Sequence, residues 1–196
     1  MSDLETTELL DDEGSDDVGS EAYSLFRGLF EWVVVLVGAV LVALVLRAFV
    51  FQAFWIPSES METTLMIQDR ILVNKVSYHL HEINRGDIVV FERPDDQVGE
   101  IRDLIKRVIG LPGDTVEGRD NEVYINGVRL IEDDYLPPEI VTTDFGPIVV
   151  PDGELFVMGD NRGQSFDSRF FGTVDESRVI GRAFVLFWPL DRIGTL

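Results

Sequence analysis

Two serine hydroxyls stand in Pro57-Ser58-Glu59-Ser60-Met61, and one lysine stands among apolar residues in Ile105-Lys106-Arg107-Val108-Ile109. A serine hydroxyl attacks a carbonyl carbon only when a base takes its proton. Lysine can be that base if burial lowers its pKa, whereas arginine keeps its proton at any usable pH. The chain has 14 arginines but only two lysines, Lys75 and Lys106. Leu104-Ile105 and Val108-Ile109 would desolvate a Lys106 ammonium and push its pKa toward a useful value. A third stretch, Gly159-Asp160-Asn161-Arg162, runs on through Gly163-Gln164 to Ser165-Phe166-Asp167-Ser168-Arg169. It offers carboxylates, guanidinium groups and hydroxyls. On local sequence alone the ordinary readings stand beside these: turn serines, a strand-edge lysine with a solvated head, and a polar surface loop.

Rival chemistries have little to work with. No cysteine is present, which excludes thiol catalysis, disulfides and Cys-zinc sites. His79 and His81 lie outside any motif and read as surface or turn residues, so neither a Ser-His-Asp arrangement nor a metal site is expected. A formal net charge of −20 argues against nucleic acid as a partner, since phosphates would be repelled.

These residues need elements to hold them. Residues 1–22 contain nine acids and no Lys or Arg, the composition of a disordered, self-repelling tail. Without those acids the rest still carries −11. From Trp32 to Leu46 every residue is apolar or glycine. A helix over 29–50 would be ~33 Å long, enough to cross a bilayer core. Arg47 could snorkel at one end, and Trp32 and Trp55 flank the span. A cleaved signal peptide fits poorly, because the preceding region is acidic and no small-x-small site follows. A buried soluble helix fits less well, because the segment is apolar on all faces. Arg27 and Arg47 balance, so charge does not set the orientation.

Beyond Pro57 the chain reads as β. Short runs occur at Ile71-Leu72-Val73, Asp87-Ile88-Val89-Val90-Phe91, Glu154-Leu155-Phe156-Val157-Met158 and Val179–Trp188. Asn126-Gly127 between Glu122-Val123-Tyr124-Ile125 and Val128-Arg129-Leu130 predicts a hairpin. Leu111-Pro112-Gly113-Asp114 predicts a type II turn, with Pro at its second position and Gly at its third.

Taken together, the motifs resemble the bacterial type I signal peptidase (leader peptidase) family, serine proteases whose base is a lysine. The resemblance spans roughly residues 30–192, with the motifs in the family's order. Met61-Glu62-Thr63-Thr64-Leu65 is similar to the family's Met-x-Pro-Thr-Leu, and Lys106–Asp114 to its Lys-Arg-x-x-Gly-Leu-Pro-Gly-Asp. The resemblance implies Ser60 as nucleophile, Lys106 as base, and an oxyanion hole from the Ser60 N–H and the Ser58 hydroxyl. It implies that Ser165 hydrogen-bonds Lys106, that Asp167 pairs with Arg169, and that Asp160 pairs with Arg107. Lys75 has a counterpart that looks structural. Phe54, Ile56, Met61, Leu65, Val90 and Ile105 map to apolar positions around the substrate pockets, and core packing is their ordinary alternative. Three departures stand out: Glu59 for a common Gly, Thr63 for Pro, and Gly163-Gln164 for Asp-Asn. In an extended segment Glu59 would face away from its serine neighbours.

The fold expected from the resemblance is mainly β: one N-terminal transmembrane helix, then an extracytoplasmic antiparallel β-sheet catalytic domain. The boundaries expected are a tail at 1–24, the membrane helix and flanks at 25–52, and the catalytic domain at 53–196. The implied activity is removal of signal peptides from exported pre-proteins through an acyl-enzyme, with small residues before the cut. No cofactor or metal is implied. The partners implied are pre-proteins and membrane lipid, with the N-terminus cytoplasmic and some of Phe51, Phe54, Trp55, Phe184, Phe187 and Trp188 resting on lipid. The sequence leaves oligomeric state undecided. A Ser-Lys protease with a narrower task and a catalytically silent tethered β-domain stay open as alternatives. A Ser-Lys repressor autoprotease fits less well, because a membrane span rather than a DNA-binding domain precedes the protease segment.

Overall fold

The computed structural model describes residues 16–94 and 101–196, which divide between Leu46 and Arg47 into two units. The described part of the first lies in one helix, α1 (Asp16–Phe49), whose last three residues fall in the second unit. Its stretch Arg27–Arg47 is the one helix among the described residues long and apolar enough to cross a membrane. It exposes its apolar side chains all round, including Trp32, Leu36 and Leu41. Such a surface fits a transmembrane segment, since water would meet only hydrocarbon on every face. α1 begins inside the segment expected as a tail, and residues 1–15 lie outside the described residues.

The second unit is mainly β. Its first strands are β1 (Phe51–Trp55) and β2 (Arg70–Asn74), followed by the short α2 (Ser77–Leu80). Next come β3 (Ile88–Glu92), β4 (Asp103–Gly110), β5 (Thr115–Arg119), β6 (Glu122–Ile125) and β7 (Val128–Arg129). β8 (Phe145–Val149), β9 (Glu154–Met158) and α3 (Ser168–Phe171) precede β10 (Val174–Asp175), β11 (Val179–Trp188) and β12 (Gly194–Thr195). Every described pairing is antiparallel. The larger sheet runs β1-β2-β11-β3-β4-β9-β10, with β12 beside β11, and the smaller runs β7-β6-β5-β8.

The smaller sheet is made by tight turns. Asn126 (φ 53°) and Gly127 (φ 80°) both take positive φ, the type I′ geometry that matches strand twist. Asp120 (φ 54°) and Asn121 (φ 68°) form a second such turn between β5 and β6, where the sequence pattern raised no expectation. Leu111-Pro112-Gly113-Asp114 closes as the predicted turn: the Asp114 N–H donates to Leu111 O at 3.0 Å, and Gly113 has φ 84°. Burial pushes the Asp114 carboxyl up, but bonds from the Leu111 N–H, Asn126 and Arg85 outweigh it and hold it below the usual range.

Apolar side chains gather in three clusters. One packs Ile56, Met61 and Leu65 against Ile71, Val73, Ile88, Val90, Ala183 and Leu186, with Phe54 and Ile105 at its margin. This cluster roots the segment that carries Ser58 and Ser60. A second lies under the smaller sheet around Val116, Val123 and Phe156, and a third joins β3, β4 and β9 around Val89, Val108 and Val157. Phe51, Phe54, Phe184 and Phe187 are half-buried, while Trp55 and Trp188 are exposed.

Candidate active site

Residues 57–68 leave the sheet as a loop anchored at three points. Ile56, Met61 and Leu65 are fully buried, the Ile56 N–H donates to Asp69 O, and the Gln68 N–H donates to Ile56 O. Ser60 sits between two of those anchors, so its backbone has little freedom to drift. It is itself buried, and Glu59 beside it is exposed, where the chain bends into a turn closed by the Glu62 N–H donating to Glu59 O rather than running extended as expected. Thr63 is exposed too. Neither departure therefore puts a side chain into the site.

Lys106 lies on β4, which is flanked by β3 and β9, and is only 3 % exposed. Its Nζ donates to Ser60 Oγ at 2.7 Å and to Ile105 O at 2.9 Å. Burial, the largest influence, lowers its pKa to about 8; Asp167 and Asp160 act the other way, and Arg93 adds to the lowering. At that value a neutral amine is accessible in mildly alkaline water, which ordinary lysine denies. Ser58 is half-buried, with its Oγ 3.4 Å from Ser60 Oγ. Two hydroxyls and an amine thus converge within bonding reach.

The turn after β9 braces this group. Asp160 is fully buried and takes Arg107 in a two-pronged bond, Nε to Oδ1 at 2.9 Å and Nη2 to Oδ2 at 2.7 Å. The Thr64 hydroxyl also donates to Asp160, tying the serine loop to β4. Asn161 donates its backbone N–H to Ser60 O and its amide to Glu59 O. Asp167 accepts the Gly159 N–H at 3.0 Å and pairs with Arg169 at 2.8 Å through both oxygens. Gly159 stands where these backbones converge: a Cβ there would lie 2.2 Å from Ser60 O and 2.3 Å from Ser165 Oγ. Only glycine fits that approach.

Both expected ion pairs are therefore present. The expected Ser165–Lys106 hydrogen bond is not. Ser165 is buried, but its Oγ has no hydrogen-bond partner among the described residues, because the Lys106 bonds run to Ser60 and Ile105 O instead. Of the six apolar positions mapped to substrate pockets, Ile56, Met61, Leu65 and Val90 are core residues, and Phe54 and Ile105 are only partly covered. Lys75 is half-buried and its N–H donates to Val50 O, a sheet-end role; His79 and His81 are exposed around α2. Thr64 and Asn161 stood inside quoted motifs without an assigned role. Glu132, Tyr135 and Thr142, which reach this turn through Arg162 and Arg107, lie in a loop without any motif, so nothing in the sequence pointed to them.

The lowered lysine gives a signed expectation. If neutral Lys106 does the chemistry, kcat/KM rises about tenfold per pH unit below pH 8 and levels off above it. A rate profile from pH 6 to 10 checks this. A plateau already reached at pH 6.5 contradicts it.

Comparison with known proteins gives a consistent result. The sequence profile of the family "Signal peptidase, peptidase S26" matches residues 29–188. A probable signal peptidase I-2 of Synechocystis sp. is 45 % identical over 165 residues, 82 % of this chain and 74 % of that protein. A signal peptidase I of Leptolyngbya laminosa is 46 % identical over 164 residues, covering 81 % and 79 %. One from Bacillus licheniformis is 41 % identical over 176 residues, covering 85 % and 92 %.

Proposed function

This chain belongs to the signal peptidase I family of serine peptidases, peptidase S26, and from that premise we propose that it cleaves signal peptides from exported pre-proteins with a Ser60–Lys106 dyad. The observation that carries the reading is the 2.7 Å bond between two buried groups, a hydroxyl and an amine whose pKa burial has lowered. In the ammonium form Lys106 donates to Ser60. Once neutral, it turns its lone pair to the Ser60 hydroxyl and can keep one N–H on Ile105 O.

The steps follow from those two groups. Neutral Lys106 takes the Ser60 proton as Oγ attacks the scissile carbonyl carbon. The negative charge moves to the carbonyl oxygen, held by the Ser60 N–H and the Ser58 hydroxyl. Collapse breaks the C–N bond, and the Lys106 ammonium returns the proton to the departing amine of the mature protein. The signal peptide stays on Ser60 as an ester. A water that gives its proton to Lys106 attacks that ester, and as the C–O bond to Ser60 breaks the Lys106 ammonium returns the proton to Ser60 Oγ, leaving the signal peptide as a free carboxylic acid. Phe54 and Ile105 are the partly open members of the apolar set available to line pockets for small side chains. No step calls for a cofactor or metal.

The helix is read as a single membrane anchor with a cytoplasmic N-terminus, which sets the catalytic unit on the extracytoplasmic side. Trp55 and Trp188 are exposed, amphipathic candidates for lipid contact. The direct test is cleavage of a pre-protein by the purified chain in detergent, together with trapping of Ser60 by an acylating inhibitor. Processing without Ser60 labelling would sink the covalent mechanism.

Ser58 has its own expected result. Ser58→Ala lowers kcat by roughly 10²–10³ and leaves KM nearly unchanged, because the lost donor acts on charge that develops only in the transition state. An unaltered kcat reduces Ser58 to a turn residue.

A further inference from the structure

Besides packing on β4 and β9, the smaller sheet meets the catalytic group through the loop at residues 130–144, between β7 and β8. The loop is fastened to the turn after β9 by a buried cation. Arg162, whose side chain is fully buried, donates to Glu132 at 2.6 and 2.9 Å and to Thr142 at 2.7 Å. Its Nε donates to Gly159 O at 3.1 Å, and its own carbonyl accepts from Arg169. Tyr135 extends from the same loop. Its hydroxyl donates to Glu132 at 2.5 Å, and its ring lies 3.9 Å beneath the Arg107 guanidinium.

Arg107 is adjacent to Lys106 in the chain, and its guanidinium is held on several sides. Asp160 takes Nε and Nη2 along one edge, the Gly86 carbonyl accepts from Nη1 at 2.9 Å, the Thr64 hydroxyl accepts from Nη2 at 3.4 Å, and the Tyr135 ring turns its face to the guanidinium carbon. A cation on an aromatic face is attracted by the ring's negative centre, most strongly where water is excluded. The orientation matters because Asp160 also acts on Lys106. The charged groups facing Lys106 are Asp160 and Asp167, which favour its ammonium, and Arg93, which opposes it. The ionisable groups around Tyr135 itself are Glu132, Arg162 and Arg107.

We propose that Tyr135 is a positioning residue for the Ser60–Lys106 pair: its ring face holds the Arg107 guanidinium flat against Asp160, so that this carboxylate is neutralised by Arg107 rather than drawn to the lysine. The proposal rests on the reading of Lys106 as base. It gives the smaller sheet a share in the chemistry without contact with the reacting atoms. A loosened Arg107 leaves more of the Asp160 charge on the ammonium, which raises the pH at which Lys106 becomes neutral.

The test is the acid limb of kcat/KM, measured with a pre-protein whose signal peptide ends in Ala-x-Ala. The full chain in detergent carries Tyr135→Phe, then difluoro- and trifluorophenylalanine at the same position. Fluorine drains the ring face while nearly keeping its shape, and Phe supplies the reference without the hydroxyl. The limb is expected to climb with fluorination by about 0.5 pH unit across the series, with kcat falling several-fold and KM within about twofold. Tyr135→Leu should move it at least as far. A tyrosine with a merely structural role lowers activity alike at every pH and leaves the limb in place. A Lys106-dependent limb that stays fixed across the series overturns the proposal alone. Activity that survives Lys106→Met overturns the base assignment and this proposal with it.

Discussion

Ser60→Ala and Lys106→Met should each reduce pre-protein cleavage by at least about 10⁴-fold, and the double variant no further, because nucleophile and base act as a unit. Lys106→Arg should fail equally, since a guanidinium cannot accept the serine proton. Lys106→Met has an opposite effect on folding. Lys106 has an ordinary value of 10.5 and a folded value of about 8. Between these, the unfolded chain holds a proton that the folded one lacks, so parent stability rises with pH across that window. Below pH 8 the buried ammonium is a standing cost. Lys106→Met therefore stabilises the fold most below pH 8, by on the order of 3 kcal/mol, and the gain fades toward pH 10.5. Thermal melts of parent and variant at pH 7 and pH 10 measure both arms. An active Met variant, or one equally less stable at both pH values, refutes the assignment of Lys106 as a strained, buried base.

Asp160→Ala carries the second large effect, this time on stability. Arg107 keeps 9 % side-chain exposure and Asp160 none, so the mutation strands a cation away from water. Breaking such a pair costs about 3–5 kcal/mol, which for this size of chain lowers Tm by roughly 10 °C or more. Asp160→Leu combined with Arg107→Met should regain most of that stability, because no uncompensated charge remains. Cleavage should stay low in the double variant, since Thr64 loses the carboxylate that ties the serine loop to β4. A double variant as unstable as the single one would show that packing, not charge, governs this position.

The sequence was legible where local chemistry left one option. The Asn126-Gly127 hairpin and the Leu111–Asp114 turn depend on residues that tolerate positive φ, and both formed as expected. β9 and β11 match their apolar runs. The Asp120-Asn121 turn carried the same kind of signal and passed unread. β1 was hidden in aromatic residues that read equally well as a membrane flank. In the site, the meeting of Ser60 with Lys106 and both ion pairs were legible through motif order. The partner of Ser165 was not legible, because it depends on where the lysine stem finally points, here to Ser60 and Ile105 O. Tyr135 and Glu132 were invisible, since their partners Arg107 and Arg162 lie about 30 residues away on other elements, a pairing no local pattern records.

The place of β11 in the larger sheet has a temporal side. β2, next to the serine loop, does not pair with β3, the neighbour of the lysine strand; β11 lies between them, with Asn74 opposite Arg182. The nucleophile half and the base half are thus joined by one of the last strands made. Such distant pairings close slowly, after local hairpins have formed. A nascent chain that has passed Lys106 but not yet made β11 lacks the strand that joins these two halves. On the proposed Ser60–Lys106 reading, cleavage therefore waits on the C-terminal strand.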